Sequence, residues 1–381
     1  MRWTLEQNSG IAEWHVLRNW LTDTALPLWR QAGFDAQSAS FFERLSLSGQ
    51  PVRGIPRRVM VQARQMYVFT KALKNGWLTG PSDFLEQALG SMLRNYHEAD
   101  GQRGWAFSVS DSGKVVDDRR DFYAHAFLIL ALAEAYSMTG DRDCLRHIDE
   151  IVLLLEECFR AGEGMVPAVP GPADVLLQNP HMHYFEALLA AYEASGLDRY
   201  LDKAQALAGL LENRLLQQAE GIIPERFDRN WVPMYSSGCS FEPGHQHEWA
   251  WLLAKYFTHV GRELPDYVCG LRIRAEAGRS ASGLIWSEVA PDGMVLAPTF
   301  RLWPHTEAIK SALQLESGQQ RTGTVAQLLG LLHAHFLTPA VPGGWHDLLD
   351  DKGNLLVDYI PASSLYHIVC AASECEAAFR S

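Results

Sequence analysis

A unit of roughly 60 residues recurs along most of this chain, and it constrains the fold more than any other feature. Each copy opens with a glycine and an apolar residue, continues through a short strand-like stretch, and ends in a helical stretch. The openings lie at Gly104, Gly164, Gly221, Gly283 and Gly344. Roughly twenty residues after each glycine comes a histidine near a helix start, namely His125, His183, His245, His305 and His367. The repeat therefore predicts a ring of histidines around one pocket.

Helical periodicity predicts about twelve helices, arranged in pairs, and the first helix is expected at 12–32. In each pair one helix follows a hairpin, and the other is a plain amphipathic helix such as 143–160 or 322–337. Six pairs in a closed ring predict an all-α fold, an (α/α)6 barrel with short β-hairpins on the active-site side. We expect one domain over residues 1–381. The alternative is an open helical solenoid, but solenoid repeats are usually shorter, about 30–50 residues, and lack hairpins.

Charge and composition limit the possible partners. The net charge of −12 argues against binding to a nucleic-acid backbone, which needs clustered basic residues. None of the six cysteines forms a CxxC pair, which is typical of buried, reduced thiols in a cytosolic protein. No stretch approaches the roughly 20 apolar residues of a membrane span, and the N-terminus lacks a continuous apolar segment. We therefore expect a cytoplasmic monomer or homodimer with no membrane partner.

The strongest local motif runs from Pro243 to Leu252 and reads PGHQHEWAWL. His245 and Glu248 are three residues apart, so on a helix they share one face. Glu248 would then orient the imidazole of His245 or hold its charged form. His247 is two positions further on and is expected to point elsewhere. A helix-capping histidine beside a surface glutamate is the alternative interpretation.

A second motif begins at Pro361 and ends at His367. Ser363 or Ser364 is expected to cap a helix, which places His367 in its first turn. The positive end of a helix lowers the pKa of a nearby histidine and favours a neutral base. A histidine flanked by apolar residues is more often part of the core, but the repeat register favours a catalytic role for His367.

Further polar residues are expected at the same pocket. Arg64 lies in an otherwise apolar helix from Val59 to Phe69, so it either meets a carboxylate or faces the pocket. Asn179 and Trp303 each stand beside a proline at a helix start, and Trp303 is suited either to stack on a sugar ring or to pack as an ordinary aromatic. No HExxH motif occurs and the histidines lie on different repeats, so we expect no metal site.

Together these motifs resemble the N-acylglucosamine 2-epimerase family, which includes mannose isomerases, cellobiose 2-epimerases and sulfoquinovose isomerase. The resemblance runs from about Arg57 to the end of the chain, with the motifs in the family's order. The motifs are Gln62-x-Arg64, Asp121-x-Tyr123-x-His125-x-Phe127, Asn179-x-x-x-His183, Pro243-Gly244-His245-x-x-Glu248-Trp249, Trp303-Pro304-x-x-Glu307 and Leu365-Tyr366-His367. The family fold is an (α/α)6 barrel, in agreement with the repeat analysis.

The resemblance implies interconversion of sugars at C1 and C2 without a cofactor. It implies that His367 is the base that removes the C2 proton and that His245 acts in ring opening and proton transfer. Arg64 would bind the oxygens that become the enediolate, where a fixed cation is most useful. The residues implied to bind the sugar or position the histidines are Asn179, His183, Glu248, Trp303 and Glu307. His305 departs from the residue expected after Trp-Pro and receives no role.

The sequence after Pro243 looks more like the mannose isomerases, so the expected reaction converts D-mannose to D-fructose through a cis-enediolate. Within the family, the alternatives are 2-epimerisation of mannose or of N-acylglucosamine, and isomerisation of a mannose phosphate with Arg57, Arg58 and Arg301 at the mouth. An (α/α)6 glycoside hydrolase would need two acidic residues for acid and base catalysis. A non-catalytic helical-repeat protein would not predict a histidine cluster.

Overall fold

The structure is a computed structural model that describes residues 2–159, 168–169, 175–234, 240–339 and 341–380. Its α-helices are α1 (Arg2–Trp20), α2 (Leu26–Gln31), α3 (Val59–Lys74), α4 (Asp83–Asn95), α5 (Phe122–Thr139), α6 (Arg142–Cys158), α7 (Asn179–Ser195), α8 (Asp198–Leu210), α9 (Pro243–His259), α10 (Asp266–Glu276), α11 (Trp303–Leu315), α12 (Gly318–His335) and α13 (Leu365–Phe379). The repeat opening predicted at Gly164 lies outside the described residues, as does Cys239.

Short strands occupy the loops that precede the inner helices. They are β1 (Phe34–Asp35), β2 (Ser40–Phe41), β3 (Arg44–Ser46), β4 (Arg57–Arg58), β5 (Ser108–Val109), β6 (Val115–Asp117), β7 (Leu176–Leu177), β8 (Arg226–Phe227), β9 (Trp286–Val289), β10 (Val295–Arg301), β11 (Leu348–Asp350) and β12 (Tyr359–Pro361). They form small antiparallel sheets, among them β4-β5-β6 and β11-β10-β9. Gly104 and Gly283 open their hairpins with φ of +90° and +86°, a conformation that glycine adopts at low cost.

Alternate helices form two concentric rings, so the predicted (α/α)6 barrel is confirmed. The inner ring is α3, α5, α7, α9, α11 and α13, and α13 closes it by packing against α3. The sheet that pairs β12 with β3 is a second contact, besides that of α13 with α3, between the N-terminal and C-terminal parts of the chain. The outer ring is α4, α6, α8, α10 and α12, with α1 packed against α12 and α13.

Burial explains which helices lie inside. Along α5 almost every side chain from Phe122 to Ala135 is buried, as expected for a helix surrounded by others. On α6 the buried residues recur on one stripe that includes Ile148, Ile151 and Leu155, and the opposite face is polar. Helix α5 is long and apolar enough to cross a membrane by composition alone, but most of it is buried inside the inner ring.

Two details differ from the sequence-based expectations. The helix predicted at 12–32 begins at Arg2 instead and is interrupted by a π-helical segment, Leu21–Ala25, before α2. The cysteines were expected to be buried, but Cys158 and Cys269 are exposed.

One hydrophobic cluster extends from the first helix to the last repeat, where Trp29 stacks on Trp345 at 5.2 Å between ring centroids.

Candidate active site

A cavity of about 440 Å³ lies at the end of the barrel where the inner helices begin. Seven of the eight predicted site residues line it, although they come from five different helices: Arg64, Asn179, His183, His245, Glu248, Trp303 and His367. Closure of the ring is what brings Arg64 on α3 next to the loop before α13, since Arg64 Nη1 donates to the Ser363 carbonyl at 3.2 Å.

Carboxylates hold His245 in a charged state. Its Nδ1 donates to Glu225 Oε2 at 2.9 Å, and Glu242 Oε2 lies 3.9 Å away. Burial lowers the pKa of His245, but Glu225 and Glu242 outweigh it and raise that pKa to about 10. His245 is therefore an imidazolium near neutral pH, and because Nδ1 is engaged, Nε2 is the nitrogen available to a substrate. Sequence analysis expected Glu248 to orient His245, but Glu225 does so.

Glu225 was missed because it lies in a loop without periodic pattern. Its position is itself fixed by neighbours: Gln178 Nε2 donates to Glu225 Oε2 at 2.8 Å, and Gln178 Oε1 accepts the indole N–H of Trp249 at 2.6 Å. The backbone N–H of Glu242 donates to the other oxygen of Glu225 at 3.1 Å. Both carboxylate oxygens are therefore occupied, which holds His245 in one orientation.

His367 occupies the opposite electrostatic environment. Its Nδ1 donates to Glu307 Oε1 at 2.9 Å, and Glu307 is fully buried behind it, away from the cavity wall. Burial lowers the pKa of His367 well below its usual value, and the cations Arg64 and Lys310 lower it further. His367 is therefore neutral near pH 7, as a base must be. Glu307, which was expected to bind the sugar or position a histidine, contacts His367 and does not line the cavity.

His183 and Glu248 lie next to each other on the wall. His183 Nδ1 is 3.1 Å from Glu186 Oε2 and 3.9 Å from Glu248 Oε1, and burial lowers the pKa of His183 to about 4. Neither carboxylate oxygen of Glu248 has a hydrogen-bond partner among the described residues. Burial, followed by the charge of Glu307, raises the pKa of Glu248 well above its usual value. A protonated Glu248 can donate a hydrogen bond to a substrate hydroxyl.

Arg64 faces the pocket and meets no carboxylate among the described residues. Its Nη2 donates to the Tyr123 hydroxyl at 2.6 Å, and its guanidinium lies 4.0 Å from the centroid of the Phe127 ring. Only 5% of Arg64 is exposed, so its charge acts in a poorly solvated setting. Trp303 lies beside both catalytic candidates, with ring centroids 4.9 Å from His245 and 5.7 Å from His367.

The predicted ring of five histidines is wrong at two positions. His125 and His305 are fully buried away from the cavity, where each Nε2 accepts a backbone N–H at 3.1 Å, from Trp105 and Ile285 respectively. Each Nδ1 then carries the proton and donates to the carbonyl of the residue four positions earlier, just before the helix: Asp121 at 2.7 Å and Arg301 at 3.0 Å. These two histidines attach hairpins to the inner helices, which gives His305 a structural position.

Glutamines make the same attachment in two other repeats. Gln62 forms two hydrogen bonds with the backbone of Phe41, at 2.8 and 2.9 Å, and Gln246 forms two with Ile223, both at 2.9 Å. We call Gln62, His125, Gln246 and His305 the anchor residues. Two residues turn an α-helix by about 200°. Of the residues two positions after the anchors, Arg64 and Glu248 line the cavity, whereas Phe127 and Glu307 contact the cavity residues Arg64 and His367.

Of the three arginines that could bind a sugar phosphate, two form ion pairs outside the cavity and one lines it. Arg57 is buried and pairs with Asp35 and Asp111, each at 2.9 Å, so it does not reach the cavity. Arg58 pairs with Glu43 at 2.8 Å. Arg301 alone of the three lines the cavity, and its guanidinium forms no ion pair with any residue that the structure describes.

Several of these side chains have the chemistry of metal ligands. Within the described residues, ligand atoms lie within 4.8 Å of one another in the groups His183–Glu186–Glu248, Glu248–Glu307–His367 and Glu225–Glu242–His245, and in a surface group His97–His147–Glu150. In the second group the ammonium of Lys310 already lies 2.5 Å from Glu307, so the charge that a metal would supply is present. We therefore interpret these side chains as a site for proton transfer by His245 and His367, which is a simpler interpretation than a metal centre.

Comparison with known proteins gives consistent results. The sequence model of the N-acylglucosamine 2-epimerase (GlcNAc 2-epimerase) family matches residues 40–371. The chain is 35% identical to a mannose-6-phosphate isomerase of Rhizobium meliloti (strain 1021), over 94% of this chain and 96% of that one. It is 27% identical to a D-mannose isomerase of Thermobifida fusca, over 87% of both. A crystal structure of a D-mannose isomerase superposes with a TM-score of 0.79 at 21% identity, over 94% of this chain and 97% of that one.

Proposed function

We propose that this chain, which belongs to the N-acylglucosamine 2-epimerase family and is a sugar isomerase or epimerase, interconverts D-mannose and D-fructose. The observation that carries the proposal is the pair His245 and His367. The two rings share one cavity. Glu225 and Glu242 raise the pKa of His245, whereas burial, followed by the charges of Arg64 and Lys310, lowers the pKa of His367. Opposite shifts at adjacent titratable groups assign one acid and one base.

In the proposed mechanism His245, as an imidazolium, donates a proton to the ring oxygen as the C1–O5 bond breaks. The neutral imidazole that results takes the proton of the C1 hydroxyl, which leaves the open-chain aldehyde. Neutral His367 then accepts the C2 proton on Nε2. The electron pair of the broken C–H bond moves into the C1 carbonyl, and the resulting enediolate oxygen lies near the guanidinium of Arg64. The protonated His367 then delivers its proton to C1, and the proton on O2 moves to O1, which gives the ketose and restores neutral His367. No external oxidant or reductant is needed, because C1 is reduced as C2 is oxidised.

The same intermediate explains why epimerisation is the neighbouring alternative. If the proton returns to C2 from the opposite face, the product is the 2-epimer, glucose, in place of fructose. His183 and Glu248 lie on the cavity wall that would hold the sugar. In this mechanism, the position of the open-chain sugar relative to His367 would decide between isomerisation and epimerisation. The names of the relatives, which include isomerases and 2-epimerases, are consistent with this shared chemistry.

A second candidate is the isomerisation of mannose 6-phosphate. It is favoured by the name of the 35% identical relative and by Arg301, a cavity residue without an ion pair among the described residues. The carboxylates of Glu242, Glu288 and Asp347 line the same cavity and oppose a phosphate dianion. These three carboxylates are the reason that we place the free sugar first.

The test is incubation of the protein in deuterium oxide with D-mannose, D-mannose 6-phosphate, N-acetylglucosamine and cellobiose, followed by proton NMR. We expect fructose from mannose, together with loss of the C2 proton signal. Glucose in place of fructose would assign the epimerase alternative. Turnover of mannose 6-phosphate with a kcat/KM at least tenfold above that of mannose would reverse the order of the two candidates.

We expect no metal requirement, because His367 can take a proton next to a carbonyl while Arg64 stabilises the enediolate. Dialysis against EDTA should leave the rate of mannose turnover unchanged. Activity that is lost on dialysis and restored by one divalent metal would instead assign one of the carboxylate and histidine groups described above as a metal centre.

A further inference from the structure

Lys310 is a fully buried lysine on α11, one turn after Glu307, and none of the sequence motifs includes it. Its Nζ lies 2.5 Å from Glu307 Oε2 and 3.7 Å from the centroid of the Trp251 ring. The other oxygen of Glu307 accepts the Nδ1–H of His367 at 2.9 Å. Lys310, Glu307 and His367 therefore form one continuous chain of contacts that ends at the cavity.

We propose that Lys310 is a positioning residue that keeps Glu307 ionised, so that Glu307 holds His367 with its proton on Nδ1. A carboxyl group buried without a cation tends to take up a proton. An ionised carboxylate only accepts hydrogen bonds, so the Nδ1 of His367 must donate. The unprotonated Nε2 is then left facing the cavity, where a base is needed.

Without the ammonium of Lys310, the hydrogen bond between Glu307 and His367 would run in the opposite direction. A neutral Glu307 would donate its own O–H to Nδ1, and His367 would carry its proton on Nε2. In that tautomer the nitrogen that faces the substrate has no lone pair with which to accept the C2 proton. Lys310 does not line the cavity, and its one ion pair among the described residues is with Glu307, which makes Glu307 the link between Lys310 and His367. The inference rests on the proposed function to the extent that His367 is the base.

Other charged groups surround this chain and take part in its titration. Those that face Lys310, Glu307 or His367 come from every adjoining inner helix and are Arg64 on α3, His183 and Glu186 on α7, Glu248 on α9 and Cys370 on α13. Glu186 is already held by His183 and by the Tyr366 hydroxyl. Glu248 has no partner among the described residues, and burial raises its pKa. Glu307 is therefore the carboxylate that depends most directly on Lys310.

The first test is Lys310→Met, which keeps the length of the side chain and removes its charge. With D-mannose we expect kcat to fall tenfold or more, while KM changes little. The acid limb of the kcat profile should move to higher pH, and part of the lost rate should return as the pH rises, because Glu307 must now ionise unaided. A loss of rate that is equal at all pH values would mean a merely structural role and would overturn the proposal.

The second test reads the tautomer directly and needs no substrate. In protein labelled with ¹⁵N-histidine, the signal of His367 is assigned by its absence from His367→Asn. We expect the proton on Nδ1 in the unmodified protein and on Nε2 in Lys310→Met. The same tautomer in both proteins would refute the inference. This readout stands even if D-mannose proves to be the wrong substrate, so the two failures are distinguishable.

Two further variants complete the design. In a Glu307→Gln background, adding Lys310→Met should cause no additional loss of kcat; losses that multiply would show that Lys310 acts independently of Glu307. Lys255→Met is the matched control, since Lys255 forms an ion pair with Glu193 at 2.9 Å near the other end of the barrel, and its kcat should be unchanged. If Lys310→Met fails to fold, Lys310→Gln, which is neutral but can donate to Glu307, should show the same tautomer change.

Discussion

At the scale of single residues, His245 and His367 are distinguished by what lies behind each ring. Behind His245 are Glu225 and Glu242, two carboxylates that form no ion pair with a lysine or arginine in the part of the chain that the structure describes. Behind His367 is Glu307, whose charge is already balanced by Lys310. The same residue type therefore supplies a proton at one position and accepts one at the other.

Removal of either ring should abolish most turnover while the protein stays folded. His367→Ala and His245→Ala each delete a proton-transfer group, which typically contributes about 10²–10⁴-fold in rate. His367→Ala should also abolish exchange of the C2 proton with solvent. His245→Ala should harm the reaction of fructose, which is richer in open chain, less than that of mannose. The rates of both variants with mannose and with fructose as the starting sugar measure these effects. Near-normal activity of His367→Ala would contradict the assignment of His367 as the base.

The pH profile should report His245 on its alkaline side. Because Glu225 and Glu242 raise the pKa of His245 to about 10, the imidazolium persists through neutral pH and is lost as the pH approaches 10. In Glu225→Gln the pKa of His245 should fall, so the alkaline limb of kcat should move to lower pH. Glu157→Gln, which removes a surface carboxylate of α6, is the control and should leave the limb in place. An unshifted limb in Glu225→Gln would contradict the acid role.

At the scale of elements, four of the six inner helices carry an anchor residue that holds a preceding loop or hairpin. His305 accepts the N–H of Ile285 while its other nitrogen donates to the carbonyl of Arg301, at the end of β10. In the equivalent place Gln246 binds both the N–H and the carbonyl of Ile223. The amide and the imidazole are thus alternative solutions to the same problem, the pairing of buried backbone groups.

This equivalence predicts that His305→Gln is tolerated and His305→Ala is not. The alanine variant leaves the N–H of Ile285 buried without a partner, at a cost of about 1–3 kcal/mol. Glutamine can restore the bond as it does at Gln62 and Gln246. Urea unfolding of the three proteins measures the difference. Equal loss of stability in both variants would mean that the imidazole has a role beyond the anchor.

The element scale also shows what the sequence could predict. Recurring apolar positions located the helices and the closed ring, because burial on an inner helix leaves a strong pattern. The pattern does not resolve which face of the helix each histidine occupies. The sequence therefore predicts that His125 and His305 face the pocket as His367 does. A spacing of roughly twenty residues is too coarse to separate positions two residues apart. Glu225 lies in a loop, where no periodicity marks its contact with His245.

At the scale of the whole molecule, the barrel buries several neutral histidines, and this links its stability to pH. Burial lowers the pKa of His125 and His183 to about 4 and that of His247 and His305 to about 3. An unfolded histidine titrates near its ordinary value of about 6.5. Between these values the unfolded chain binds more protons than the folded one, so unfolding becomes easier as the pH falls.

We therefore predict that the free energy of unfolding falls as the pH is lowered from 6.5 towards 4, by about 1–2 kcal/mol for each such histidine at pH 5. His245 has the opposite sign, because its pKa is raised: its contribution is complete below pH 6.5 and is lost as the pH rises towards 10. Urea titrations at several pH values measure both limbs. In His125→Gln the slope on the acid side should be shallower than in the unmodified protein, and an unchanged slope would contradict the assignment.

The offset between the anchor residues and the cavity has a consequence for redesign. Positions 62, 125, 246 and 305 hold the loops in place, whereas positions 64 and 248 line the cavity. A combinatorial library can therefore randomise the second set while it retains the first. Each member would present a different interior on an intact rim of hairpins, so that new chemistry is sampled without selecting again for a folded scaffold.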